Sequence, residues 1–249
     1  MKIAFFPGCM VDMFYPEVGK AAVRVLERLG CEIALPDEQI CCGQPLFNSG
    51  YVKDSLPLMK NLIDAYEPYE TIVSLTGSCT YAIKSDYQRF LGQDPIYAPK
   101  LEALANRIYE LSEFIVDVLG ITDVGAKLNG KATFHKSCHM TRMLGVREQP
   151  LTLLENVKGL EYVEMKAADR CCGFGGTFSV KEPEISEQMV LEKAQNALAT
   201  GADYLVGADQ ACLMNIKGAL DRMAKEGMID HPITVLHLAQ VLDSGREDS

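Results

Sequence analysis

The chain has no apolar run approaching the roughly 18 residues needed to cross a bilayer. It also has no excess of positive charge. Against 24 lysines and arginines stand 34 aspartates and glutamates, a net charge of −10 that argues against nucleic acid or an anionic membrane as partner. The opening Met1-Lys2-Ile3-Ala4-Phe5-Phe6 carries one positive charge, and Pro7-Gly8 interrupts its short apolar run, so it does not read as a secretory signal. The expected compartment is therefore the cytoplasm. Several chemical signatures are missing too: a Ser–His–Asp arrangement, a recognisable carboxylate pair, and a flavin or nicotinamide site. The glycines Gly173, Gly175 and Gly176 superficially suggest a phosphate loop, but they follow two cysteines and lack a nucleotide fingerprint downstream. Without a hydride carrier, any oxidation involving this chain must pass electrons singly through clusters or hand them to a partner.

What is present is a cysteine pattern written twice. Ile40-Cys41-Cys42-Gly43 recurs as Arg170-Cys171-Cys172-Gly173, with Cys9 and Cys138 before the pairs and Cys79 and Cys212 after them. The offsets are 129 (Cys9 to Cys138), 130 (Cys42 to Cys172) and 133 (Cys79 to Cys212), which reads as an internal duplication. In a reducing cytosol such a pattern points to metal or redox chemistry more than to structural disulfides. Cys31 stands outside the pattern and reads as a small buried hydrophobe.

The chain of 249 residues is long enough for one large domain or two smaller ones. Short apolar strands are expected at Lys2–Phe6, Cys31–Leu35 and Thr71–Leu75, each running toward a cysteine. Helices are expected at Glu17–Leu29, Tyr51–Tyr66 (despite Pro57), Tyr81–Leu91 and a long Lys100–Leu119. The second half repeats the order. Strands are expected at Ala132–His135, Leu160–Met165, Tyr204–Val206 and Thr234–Leu238, and helices at Leu151–Val157, Glu184–Thr200 and Met214–Lys225. Glycines in the stretch 120–131 place the boundary there, giving halves 1–125 and 126–249. The fold class is thus α/β, with two pseudo-symmetric halves, each a parallel sheet flanked by helices. Ligand sites are expected at the carboxyl ends of the strands, where the three cysteine loops of each half can converge.

Four thiolates from separate loops suit an iron–sulfur cluster or a tetrahedral zinc. Glycine beside each loop lets backbone approach sulfur. Helices expected to start just after Cys79 and Cys212 would point positive dipole ends at an anionic site. Adjacent cysteines on a straight strand face opposite ways, so a shared centre needs a turn, which glycine permits, or different irons of one cluster.

These motifs carry a resemblance. The pattern C…CCG…C, twice in an α/β chain, resembles the cysteine-rich CCG-domain family typified by the heterodisulfide reductase B subunit. Cys41-Cys42-Gly43-Gln44-Pro45 with Phe47-Asn48-Ser49-Gly50-Tyr51, Gly77-Ser78-Cys79, His135–Arg142 and Cys171–Lys181 look like that family's lactate-utilisation members. The resemblance implies an iron–sulfur oxidoreductase subunit that works with two partner proteins to oxidise L-lactate to pyruvate. The reductase motif ends in C-x-x-C, whereas Ala82 and Asn215 stand at the last positions here. Each half therefore keeps four cysteines, and a conventional 4Fe-4S-type cluster, or zinc in one half, is the expected cofactor.

The expected ligands are Cys9, Cys41, Cys42 and Cys79 in the first half, and Cys138, Cys171, Cys172 and Cys212 in the second. His135 and His139 flank Cys138 with no counterparts around Cys9, so they are candidate proton donors or extra ligands; packing or surface roles are the alternative. Arg142 is a candidate to pair with a carboxylate substrate, against a solvated role. These three are the candidate catalytic residues. His231 and His237 read as structural. Two further functions remain: a zinc-holding, redox-silent scaffold subunit of an oxidoreductase complex, and, least favoured, a thiol–disulfide oxidoreductase using the vicinal pairs.

Overall fold

The computed structural model describes residues 1–38, 40–229 and 233–245. Among them are two four-stranded parallel sheets. The first contains β1 (Lys2–Phe6), β2 (Glu32–Ala34), β3 (Ile72–Ser74) and β4 (Ile108–Glu110), in the order β2-β1-β3-β4. The second contains β5 (Lys127–His135), β6 (Lys158–Tyr162), β7 (Tyr204–Gly207) and β8 (Thr234–His237), in the equivalent order β6-β5-β7-β8. Helices cover the sheets, so central strands are buried on both faces and read as continuous apolar runs. In β1, Ile3, Ala4, Phe5 and Phe6 are all buried. Register carries the duplication to single residues: Phe6 lies beside Ser74 of β3, and His135 lies beside Gly207 of β7.

In both sheets, the order places the first and third strands side by side while their connections leave to opposite sides. This arrangement opens a crevice at the carboxyl ends of those strands. The loops carrying Cys9 and Cys79 leave from that point in the first sheet, and those carrying Cys138 and Cys212 in the second.

The expected helix Lys100–Leu119 is corrected. The chain is helical over Tyr97–Ala105, forms β4, and turns helical again from Leu111. Leu101, Leu104, Ile108, Leu111, Phe114 and Ile115 recur three or four apart and imitate an amphipathic helix, while a three-residue strand is too short to show alternation. Glu110 ends β4 fully buried, and its carboxylate accepts hydrogen bonds from the Ser112 and Glu113 amides. His237 does the same at the end of β8, where Nδ1 accepts from the Ala239 amide at 3.1 Å. It is structural as expected; His231 lies outside the described residues.

The two sheets share apolar packing. One buried cluster joins Phe5, Val25 and Phe114 of the first half to Phe134, Leu153 and Leu238 of the second. Cys31 belongs to it as a buried side chain outside any disulfide. At the edge of this core, the helix Pro16–Arg28 meets the helix Leu238–Leu242. Arg24 donates to the Asp243 carboxylate at 2.6 Å, and Arg28 donates to the Leu242 carbonyl at 2.7 Å.

Candidate metal centre

The cysteine loops are built on glycine. Gly43 and Gly173 follow the vicinal pairs with φ of 76° and 83°, a left-handed backbone that turns the chain back after Cys42 and Cys172. At Gly173 a side chain would also meet the Ser186 carbonyl oxygen at 2.6 Å. These turns let adjacent cysteines serve one centre. Cys79 and Cys212 are not placed ahead of their helices as expected. The helices start earlier, at Gly77 and Gln210, so both cysteines sit in the first turn among the unpaired amides.

In the first half the Cys9 and Cys41 sulfurs lie 3.5 Å apart, and those of Cys42 and Cys79 lie 3.3 Å apart. In the second half the equivalent cysteines also interact, Cys138 with Cys171 and Cys172 with Cys212. Among the described residues none of the nine cysteines forms a disulfide. Hydrogen bonds from Cys42 and Cys9 hold the Cys41 thiol far down, at about 3, and those from Cys138 and Cys172 hold Cys171 at about 2. The donors Cys9, Cys42, Cys138 and Cys172 are pushed up, through these same bonds and then by burial. Each quartet thus holds a thiolate among thiols whose protons a metal would displace.

All eight of these cysteines line one cavity of about 460 Å³ between the halves. Gln44, Pro45, Asn48, Phe174, Thr177 and Asp209 complete much of its wall. The donor set fits a thiophilic metal group. The two first-half sulfur pairs are closer than the roughly 3.8 Å edge of a tetrahedron built on 2.3 Å zinc–sulfur bonds. They must spread to take a metal, and the cavity gives them room.

The histidines divide. His135 is buried, and neither ring nitrogen has a hydrogen-bond partner among the described residues. Its ligand atom and the sulfurs of Cys172 and Cys212 all lie within 4.8 Å of one another. Burial, then the charge of Lys193, pulls its pKa down to about 3, so it is a neutral imidazole. His139 is half-buried on the cavity wall, with Nδ1 3.5 Å from the Cys138 sulfur and its ring against Tyr81. Arg142 does not reach the cysteines. It is exposed and lines a separate cleft with Lys136, Arg147 and Lys166, because its long charged side chain stays hydrated a turn beyond Cys138.

Four supporting residues escaped the sequence reading. Asp209, buried in the second half, accepts from both the amide and hydroxyl of Ser78 at 3.0 Å, tying the loop of Cys79 across the interface. The Tyr87 hydroxyl donates to the Cys42 carbonyl at 2.7 Å, and the Asn215 amide donates to the equivalent Cys172 carbonyl at 2.9 Å. Lys193 is buried, with its ammonium donating to the carbonyls of Ala167 and Ala168 at 2.6 and 3.0 Å. A lysine on the apolar face of Val190, Ala194 and Ala197 is the signal that could have exposed it.

Fold and site together define a duplicated α/β protein whose halves present cysteine quartets to a common cavity. A family model described as a cysteine-rich domain (CCG) matches residues 3–84 and again residues 132–217, and the chain belongs to that family. It is 53% identical to lactate utilization protein A of Bacillus pumilus over 244 residues, covering 98% of this chain and 100% of that one. The same-named protein of Bacillus subtilis is 52% identical over equal spans, and that of a Geobacillus strain 54%. Among solved structures, a hypothetical protein from Helicobacter pylori superposes with a TM-score of 0.65 at 10% identity. That likeness covers 99% of this chain and 49% of the other, and concerns the fold alone. Among the described residues no helix is long and apolar enough to cross a membrane. The relatives' name and the cysteine-rich domain support a role in lactate utilisation with metal or iron–sulfur binding.

Proposed function

We propose that the chain is an iron–sulfur subunit that relays electrons during oxidation of L-lactate to pyruvate in the cytoplasm, in a complex with other lactate-utilisation proteins. Residues 1–125 hold one four-thiolate centre and residues 126–249 the other. The observation that carries this reading is the convergence of all eight duplicated cysteines on one cavity. A cluster there would supply one-electron transfer. Cys9, Cys41, Cys42 and Cys79 would hold the first centre, and Cys138, Cys171, Cys172 and Cys212 the second. Asp209 and Ser78 keep the two loops in register, while Tyr87 and Asn215 fix the vicinal turns. His139 stands at the cavity wall where a proton can be held; Arg142, in its separate cleft with Lys136, Arg147 and Lys166, is the candidate to pair with a carboxylate.

Oxygen-free purification with iron, sulfide and zinc analysis tests this. Brown protein with a reducible paramagnetic signal is expected, and folded, colourless, iron-free protein refutes it. Cys42→Ala and Cys172→Ala should each remove one centre and leave the other. A second reading has one observation in its favour: the compact His135–Cys172–Cys212 constellation has the donors of a zinc site. Zinc without iron in both halves would make the chain a redox-silent scaffold.

A further inference from the structure

The halves match in their cysteines but not in what surrounds them. The offset of 129 that relates Cys9 to Cys138 also relates Phe6 to His135. Across the sheets, Gly43 packs near Ser55 and Leu58, and Gly173 packs near Ser186 and Met189. That offset of 131 pairs Leu62 with Lys193. All four side chains are buried, at 2% exposure or less. The first centre is therefore backed by a phenyl ring and an isobutyl group, and the second by an imidazole and an ammonium.

Lys193 is tied to the second centre. Its ammonium is anchored on the carbonyls of Ala167 and Ala168, at the start of the loop that carries Cys171 and Cys172. The helix face it shares with Val190 and Ala194 packs in the same cluster as Cys172 and Ala168. Among the described residues it makes no ion pair; Asp169 is a carboxylate whose charge reaches it, as do Cys171, Cys172 and Cys212. Asp209 acts in the opposite sense on Cys138 and Cys212, but its carboxylate is turned to Ser78, beside Cys79 of the first half. A positive charge in a poorly hydrated site acts strongly on a neighbouring charge. Cluster potentials follow net charge, hydrogen bonds to sulfur, and the replacement of cysteine by histidine.

Resting on the reading that both quartets hold iron–sulfur centres, we infer that the second-half centre is the electron acceptor of the pair. The charge of Lys193, and a hydrogen bond from the unpartnered His135 ring to a neighbouring cysteine sulfur, would stabilise its reduced, more negative state. With centres held by Cys9, Cys41, Cys42 and Cys79 and by Cys138, Cys171, Cys172 and Cys212, one electron would pass from the reduced first to the oxidised second, with no bond made or broken. The chain is therefore directional, from the half with Cys9 to the half with Cys138.

Potentiometric titration followed by electron paramagnetic resonance tests this, with the two signals assigned in Cys42→Ala and Cys172→Ala proteins. The second centre is expected to reduce at the higher potential. Lys193→Leu and His135→Phe, which install the first half's residues, should each lower its potential and leave the first unchanged, while Lys193→Arg keeps it. Should Lys193→Leu fail to fold, Lys193→Met and His135→Phe carry the test. A reversed order overturns the inference, as do unmoved potentials in variants that retain their iron, or zinc in the second quartet beside iron in the first. Iron-free protein instead overturns the parent reading.

Discussion

Gly77→Ala isolates the fit between the halves. Gly77 opens the helix bearing Cys79 and faces Met140, two residues past Cys138. A β-carbon built there would lie 2.4 Å from the Met140 β-carbon and 2.9 Å from its α-carbon. Backbone cannot swing aside as a side-chain tip can, so the segments must separate by about 1 Å to restore ordinary contact. Overpacking of this kind costs about 1–3 kcal/mol. Replacing glycine in a helix returns up to about 1 kcal/mol, so the clash prevails. The net loss, about 1–2 kcal/mol, should lower the melting temperature by roughly 2–8 °C. The separation would also stretch the bonds of Ser78 to Asp209 and pull the quartets out of register. Thermal denaturation and metal content of the same preparation measure both effects. Met140→Gly in the variant removes the closest contact and should recover metal content in part, but not the melting temperature, because the α-carbon contact remains and the buried Met140 side chain is lost. A Gly77→Ala protein as stable and as metal-replete as the parent would refute the interface described above.

Other expectations follow from separate features. Burial raises Glu110 from 4.5 to about 7, against the opposing hydrogen bonds of Ser112 and Glu113. The folded state therefore keeps that proton longer than the unfolded chain, and the associated stability, present below pH 4.5, is lost as pH rises through 7. Denaturant titrations at pH 5 and pH 8 should show a slope across this window that Glu110→Gln flattens, by about 3 kcal/mol at most; identical slopes contradict the assignment. Asp209→Ala strands the Ser78 amide at the interface and should cost about 1–3 kcal/mol, with Asp209→Glu no substitute at that depth. Stripping the metal with a chelator unties loops from three parts of each half, so the melting temperature should drop and recover on reconstitution. No change on stripping would mean the quartets bear no structural load.

Much of this was legible because cysteine is rare and its duplication is exact enough to survive divergence around it. The strands leading to Cys9, Cys79 and Cys212 are short, apolar and followed closely by glycine, and the apolar end of the longer β5 leads to Cys138, so their place could be read directly. Strand β4 could not, because Ile108 continues the helical spacing of Leu101 and Leu104. Helix starts at Gly77 and Gln210 do follow cap-forming residues, Thr76 and Asp209, but neither side chain makes the cap bond, and the cysteines three residues on drew the helix starts too late. Arg142 was drawn to the site by its neighbours in sequence, yet an arginine's direction is decided by hydration and not by chain proximity. Asp209 and Asn215 act through space on loops far away in sequence, and their spacing alone announces nothing; Lys193 was marked only by its place on an apolar helix face.

The clasp between Arg24, Arg28 and the segment ending at Asp243 has a consequence for dissection of the molecule. Elements from opposite ends of the sequence complete each other's covering, so the duplicated lobes resemble a fused pair that has surrendered its independence. Separately expressed lobes would each display an uncovered greasy flank and should precipitate unless mixed, when they ought to rescue one another. Cutting after residue 237 should likewise unseat the helix Pro16–Arg28 and reach the Cys9 loop from the far end of the polypeptide.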